Sequence, residues 1–264
     1  MTIAILGAAG RMGQMLLRCA KRFPGLRVGG AYEQAGHPAL GQDAGTLAGI
    51  GPLGVALADT WPADAAAVID FTFHTAVAVH LERAIAHRQA VVLGTTGLNE
   101  EEKRRVTEAA QRIPIVWAPN FSLGVNLLLD LVRRAATVLG PAYDAEIVEM
   151  HHRLKKDAPS GTALGLAEAL AAGRNVDLRA VAVYGREGIT GERPRGEIGI
   201  HALRGGDVVG DHTVIFAADG ERIELAHKAS SREAFANGAL HAAAWLRGKP
   251  AGLYSMRDVL GLNT

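Results

Sequence analysis

The chain opens on an apolar run, Thr2–Leu6, that breaks at glycines and passes into a helix-like stretch, Arg11–Arg22, ending before Pro24. Short apolar runs bounded by turn residues read as buried strands, and apolar positions recurring every three or four residues read as helices. On that pattern Leu26–Tyr32, Ala67–Thr72, Ala90–Leu93 and Ile115–Ala118 are expected strands, with helices of the type Ala76–His87 and Glu100–Arg112 between them. Strand alternating with helix predicts an α/β, doubly wound parallel sheet. Several of these strands end in polar or glycine-rich turns, the edge on which open α/β sheets hold ligands.

The pattern changes after about residue 122. A long apolar helix, Val125–Leu139, precedes Ala145–His151, which alternates so that residues 145, 147, 149 and 151 share one face. The helix Thr162–Ala172 follows, then strand-like pieces at Ala180–Tyr184, Glu197–Ala202, Asp207–Phe216 and Glu221–Lys228. Arg204-Gly205-Gly206-Asp207 and Asp219-Gly220 read as hairpin turns. The second half is therefore expected to be α+β with mostly antiparallel pairing. Ala234–Leu246 is helical again and suits either half.

Composition removes several classes. A net charge of +1 gives no electrostatic reason to expect nucleic acid or a membrane surface as partner. No apolar run approaches the ~20 residues of a membrane span, and the N-terminus shows no signal-peptide pattern, so a soluble cytoplasmic protein is expected. The single cysteine, Cys19, excludes an intramolecular disulfide, fits a reducing compartment and sits in an apolar stretch that reads as core. The histidines lack zinc-helix spacing, and Walker-type and nucleophile-elbow motifs are missing, so no metal is expected.

Two segments carry candidate chemistry. In Gly7-Ala8-Ala9-Gly10-Arg11-Met12-Gly13 a strand meets a helix through a G-x-x-G-x-x-G turn. Such a turn either only tightens a βα junction or lets a pyrophosphate approach the helix N-terminus. Glu33 stands 20 residues beyond Gly13, where an acid accepts hydrogen bonds from an adenosine ribose. This combination predicts a dinucleotide site: the carboxylate favours NADH, and Arg11 leaves NADPH open. The turns Gly94-Thr95-Thr96-Gly97 and Ala118-Pro119-Asn120-Phe121 follow later strands and are expected on the same edge.

The second segment, His151-His152-Arg153-Leu154-Lys155-Lys156, holds five basic or imidazole side chains in six residues, and Ser160-Gly161-Thr162 then opens a helix. A histidine exchanges protons near neutral pH, a lysine is a compact cationic donor, and a helix start attracts anions. If the extended backbone continues, His151 and Lys155 share a face and His152 opposes them. The segment reads as a small-polyanion pocket with proton donors at hand. Arg153 and Lys156 read as solvated charge, Ser160 also reads as a plain N-cap, and Arg232 is a further residue able to reach the anion.

From Glu149 to Thr162 the string closely resembles the signature of the 4-hydroxy-tetrahydrodipicolinate (dihydrodipicolinate) reductase family. The resemblance covers nearly the whole chain, through Gly7–Gly13, Asp70-Phe71-Thr72, Gly94–Gly97, Asn120-Phe121-Ser122 and His227–Arg232. It implies NAD(P)H-dependent reduction of 4-hydroxy-tetrahydrodipicolinate on the route to diaminopimelate and lysine. It also implies a Rossmann-like domain, 1–122, rejoined by 232–264, and a substrate-binding and oligomerisation domain, 123–231, with an open mixed sheet that forms a homotetramer. By the same resemblance His151 and Lys155 are the proton-handling pair, and His152, Ser160, Gly161 and Thr162 hold the dicarboxylate. Gly7, Ala8, Ala9, Gly10, Arg11, Met12, Glu33, Gly94, Thr95, Thr96, Ala118, Pro119, Asn120 and Phe121 match the cofactor site. Two departures stand out: Gln34 follows Glu33 where many relatives have an arginine suited to a 2′-phosphate, and Leu154 replaces a histidine found in some members. Other readings are a different NAD(P)-dependent dehydrogenase acting on an amino- or keto-dicarboxylate, and a non-catalytic NAD(P)H-sensing protein.

Overall fold

Runs that are apolar at every position, rather than at alternate ones, build strands covered on both faces. The computed structural model describes residues 1–262. Its first half runs β1 (Thr2–Leu6), α1 (Arg11–Ala20), β2 (Arg27–Tyr32), α2 (Ala44–Leu47), β3 (Leu57–Ala58), β4 (Ala67–Asp70), α3 (His74–Ala86), β5 (Ala90–Leu93), α4 (Glu100–Ala110) and β6 (Pro114–Trp117). Next come α5 (Leu123–Leu139), β7 (Asp144–His151), α6 (Gly161–Arg174), α7 (Leu178–Val181), β8 (Ala182–Val183), β9 (Ile198–Arg204), β10 (Gly210–Ala218) and β11 (Glu221–Ala229). The chain then ends through α8 (Glu233–Trp245), β12 (Gly252–Tyr254) and α9 (Met256–Leu260).

Two compact units result: Met1–Leu123 joined by the chain from Arg232 onward, and Gly124–Ser231. The first holds a wholly parallel seven-stranded sheet in the order β12-β6-β5-β4-β1-β2-β3. Along β1, Ile3 and Ile5 enter the core under α1 and α8, whereas Ala4 and Leu6 enter the core under α3 and α4. This is the doubly wound, Rossmann-like α/β fold that the alternation predicts. The strand order reverses between β1 and β4, and their carboxyl ends, Leu6 and Asp70, are register partners. Ligands bind at such a switch point.

The second unit holds a five-stranded sheet, β11-β10-β7-β9-β8. Its core packs Ala145 and Ile147 of β7 and Val214 and Phe216 of β10 against Leu128 and Val132 of α5 and Leu166 and Leu170 of α6. The sheet is mixed rather than mostly antiparallel: β11·β10 and β10·β7 are antiparallel, β7·β9 and β9·β8 parallel. Asp219-Gly220 makes the expected hairpin between Ala218 and Glu221, with Gly220 at φ +86°. Arg204–Asp207 does not, because β9 and β10 lie on opposite sides of β7 and that segment crosses over it. The expected strand Ala180–Tyr184 is also corrected. Asp177 accepts the Arg179 N–H and caps α7, which leaves only the two residues of β8.

Helix α8 belongs to the first unit, packed beside α1. Gly238 lets it seat, since a Cβ there would drive into the Phe121 carbonyl oxygen. Gly238→Ala is therefore expected to destabilise the first unit by about 2 kcal/mol through overpacking, read as a lowered urea midpoint. An unchanged midpoint would show that α8 is not seated in this way.

Candidate active site

At the carboxyl end of β1, Gly7 takes φ +68° and its carbonyl accepts the Gly10 N–H at 3.0 Å. A Cβ at Gly13 would collide with the Gly7 carbonyl oxygen, so the close turn requires glycine there. Gly10 caps α1 without any side-chain hydrogen bond. Ala8 is buried, Met12 packs on the core and Arg11 is exposed, so the turn presents mainly backbone. Glu33 follows β2, and its carboxylate accepts N–H groups from Ala9 at 3.3 Å and Gln34 at 3.0 Å. A cavity of about 450 Å³ brings Gly7, Gly10, Glu33 and Gln34 together with Tyr32, Thr72 and His80.

The later turns join this edge through Phe71. A Cβ on Gly94 would strike the Phe71 ring, and Phe121 lies edge-on to the same ring at 5.6 Å. The Ala118 N–H donates to Leu93 at 3.3 Å, and Asn120 Oδ1 accepts the Ser122 N–H at 2.8 Å. Thr96 and Pro119 are exposed. Thr95 is buried, 3.3 Å from Asp70 Oδ1. Sequence reasoning left Asp70 without a role. It is 1% exposed, accepts the Thr72 N–H and hydroxyl at 2.9 and 2.6 Å, and pairs with His80 Nδ1 at 2.8 Å. An acid closing an otherwise apolar strand was the available signal.

In the second unit the alternation of β7 turns Ala145, Ile147, Glu149 and His151 inward. Glu149 is wholly buried, and its carboxylate meets His151 Nδ1 at 2.5 Å. Arg204, from the end of β9, donates to both carboxylate oxygens at 2.9 Å, and the Ser160 N–H donates at 3.0 Å. Burial pushes the Glu149 carboxyl up, but the bonds from Arg204, His151 and Ser160 outweigh it and hold the group below its ordinary value. His212 of β10 stands edge-on to the His151 ring at 5.1 Å. Burial, followed by the charge of His151, pushes His212 down to about 4.

The extended geometry ends at His151. The Lys155 N–H turns back to the His152 carbonyl at 3.1 Å, and Lys155 Nζ sits 2.9 Å from both oxygens of Asp157. Asp157 is held below its ordinary value chiefly by that lysine. Arg204 also donates to the Asp157 carbonyl at 2.6 Å. The His152 N–H donates to Val208, and its Nδ1 is buried without a partner among the described residues. Ser160 is buried as the N-cap of α6: its hydroxyl accepts the Ala163 N–H at 3.2 Å and lies 3.1 Å from His212 Nε2. Gly161 is exposed with open space where a Cβ would stand, and Thr162 beside it is half-buried. Arg153 and Lys156 are exposed. Glu149, Arg204 and His212 are the residues of this cluster that sequence reasoning gave no part. Glu149 was legible from its place on the inward face, whereas the other two come from strands more than 50 residues downstream.

Two family models match, "Dihydrodipicolinate reductase, N-terminus" over residues 1–121 and "Dihydrodipicolinate reductase, C-terminus" over residues 124–260. The chain belongs to the dihydrodipicolinate reductase family. It is 54% identical over 263 residues to the 4-hydroxy-tetrahydrodipicolinate reductase of Anaeromyxobacter dehalogenans, covering 98% of this chain and 97% of that one. To the reductase of Magnetococcus marinus it is 50% identical, covering 98% of each. Among solved structures it is similar to the dipicolinate-bound dihydrodipicolinate reductase of Paenisporosarcina sp. TG-14, with TM-score 0.77 and 25% identity over 96% of this chain and 97% of that one. An amine dehydrogenase from Mycobacterium smegmatis, TM-score 0.59 and 11% identical over 97% of this chain and 94% of that one, shares the fold alone. Among the described residues no group of three or more His, Cys, Asp or Glu is placed to hold a metal ion, and no helix is long and apolar enough to cross a membrane.

The depressed His212 sets a pH dependence. A histidine that resists protonation when folded stabilises the fold above its unfolded value of 6.5, and that contribution is lost as pH falls towards about 4. The window corresponds to roughly 3 kcal/mol at about 1.4 kcal/mol per pH unit. His212→Gln is expected to flatten the fall in urea-unfolding free energy between these pH values; identical curves would show that His212 titrates normally.

Proposed function

We propose that this chain reduces 4-hydroxy-tetrahydrodipicolinate to tetrahydrodipicolinate with NADH or NADPH, in diaminopimelate and lysine biosynthesis. The observation that carries the reading is the anion-ready start of α6 beside a histidine backed by a buried carboxylate, in a chain 54% identical to a reductase of that name. The first unit supplies the cofactor elements and the second the substrate elements. The glycine turn fits a dinucleotide: Gly7 has φ +68°, Gly13 has no room for a Cβ, and α1 begins with no side-chain cap. Gly7–Met12 would hold the pyrophosphate, Glu33 the adenosine ribose, and Gly94–Thr96 with Ala118–Phe121 the nicotinamide end.

When bound, the reduced nicotinamide supplies the hydride that the substrate ring accepts at C4, after or with loss of the 4-hydroxyl. The residues of the chain orient the ring and handle protons. The N–H groups of Gly161 and Thr162 and the His152 imidazole hold the two carboxylates, with Ser160 anchoring the helix start beneath them. His151 gives or takes the exchanging proton, and Lys155, released from Asp157 by the substrate's charge, supplies a second proton and stabilises developing charge. Glu33 followed by the uncharged Gln34 supports use of NADH alongside NADPH, since no arginine stands there to pair with a 2′-phosphate. The resemblance to the family is what supports a homotetramer built through the second unit. Cys19 as the sole cysteine supports a cytoplasmic setting.

A coupled assay with freshly formed substrate tests the reading. Wild type is expected to oxidise both NADH and NADPH, and His151→Gln and Lys155→Ala each to lower kcat by about 100-fold or more. No oxidation of either cofactor would overturn the function, and full turnover by both variants would overturn the catalytic pair.

A further inference from the structure

We propose that Glu149 and Arg204 are positioning residues that fix the proton on His151 Nδ1 and so make Nε2 the nitrogen that exchanges a proton with the substrate. The inference rests on the reductase reading and deepens it. Four donor positions converge on the Glu149 carboxylate: two N–H groups of Arg204, the Ser160 N–H and His151 Nδ1. An ionised carboxylate only accepts, so the ring nitrogen at 2.5 Å must carry its hydrogen whether the imidazole is neutral or charged. The proton that comes and goes is then the one on Nε2. That nitrogen has no partner among the described residues, and the His151 side chain keeps 11% of its surface exposed. A Cβ at position 210 would stand 3.0 Å from it, so Gly210 keeps β10 from covering that edge.

Arg204 has a second task. One of its nitrogens bonds both Glu149 Oε1 and the carbonyl of Asp157, whose carboxylate holds Lys155. One guanidinium thus couples the orientation of His151 to the loop that carries Lys155. The charged and titratable groups that meet His151 are Glu149 from β7, with Arg204 from β9 bonded to it, and His212 from β10, which itself feels His227 of β11 and Lys155 of the loop.

Exchange of Glu149 for glutamine leaves one acceptor oxygen. Oε1 accepts from Arg204 Nη2 and the Ser160 N–H, neither of which can give up its hydrogen, whereas Oε2 accepts from Arg204 Nη1 and from His151, whose ring can. The amide nitrogen then faces His151, and the neutral ring moves its hydrogen to Nε2. Nitrogen-15 NMR of the imidazoles in the full-length protein reads this directly, with the His151 signals identified by their loss in His151→Asn. Wild type is expected to show neutral His151 protonated on Nδ1, Glu149→Asp to keep that form, and Glu149→Gln to show Nε2–H. In the same series Glu149→Gln is expected to lower kcat about 100-fold, with the substrate KM within about threefold. Its pH profile should move to lower pH, because His151 loses the neighbouring negative charge, and Glu149→Asp should restore part of the rate. Neutral His151 protonated on Nε2 in wild type would overturn the proposal, and so would a Glu149→Gln enzyme with an unchanged kcat and pH profile. The wild-type spectrum needs no substrate and no folded variant at position 149. A protein with Nδ1–H but no turnover would therefore overturn the reductase reading and leave the proton assignment standing.

Discussion

A carboxylate with no exposed surface, Glu149, is the constraint on which the second unit's chemistry depends. Taking such a charge out of water costs several kcal/mol, and only excellent geometry with every lone pair satisfied compensates for it. The compensation here comes from β9 through Arg204, from the start of α6 through Ser160, and from β7 itself through His151. Arg204 lies 55 residues beyond Glu149 and Ser160 11 residues beyond it, and they satisfy the carboxylate only when β7, β9 and α6 are in register. The requirement that stabilises the carboxylate therefore also orients the histidine and sets the helix start beside it.

The first unit uses a related device. Asp70 closes β4 at the switch point of the parallel sheet, and it too is buried and fully engaged. It holds Thr72, Thr95 and His80, and so fixes the turns after β4 and β5 against one another. Phe71, the next residue, fills the space that Gly94 leaves open and meets Phe121. The turns proposed to hold the cofactor are thus joined by buried polar and aromatic contacts.

Much of this was legible in the chain. β1, with its glycine turn, was evident because a doubly covered strand must be apolar throughout and a tight turn needs glycine. The alternation from Ala145 to His151 was enough to turn Glu149 and His151 to the same side of β7. The crossover after β9 was not legible, because Arg204-Gly205-Gly206-Asp207 has hairpin composition whether or not its flanking strands pair. The path of Lys155 was hidden for a related reason: strand periodicity says nothing of where the strand stops. Arg204 and His212 were out of reach for a third reason. Nothing local distinguishes a polar side chain that serves a remote buried group from one on a solvated edge.

The most direct test of the account is a crystal structure of this chain with dipicolinate bound. One carboxylate is expected on the N–H groups of Gly161 and Thr162 at the start of α6, with His151 Nε2 facing the ring and Nδ1 still on Glu149. Dipicolinate bound away from α6, or a His151 ring turned from Glu149, would contradict it.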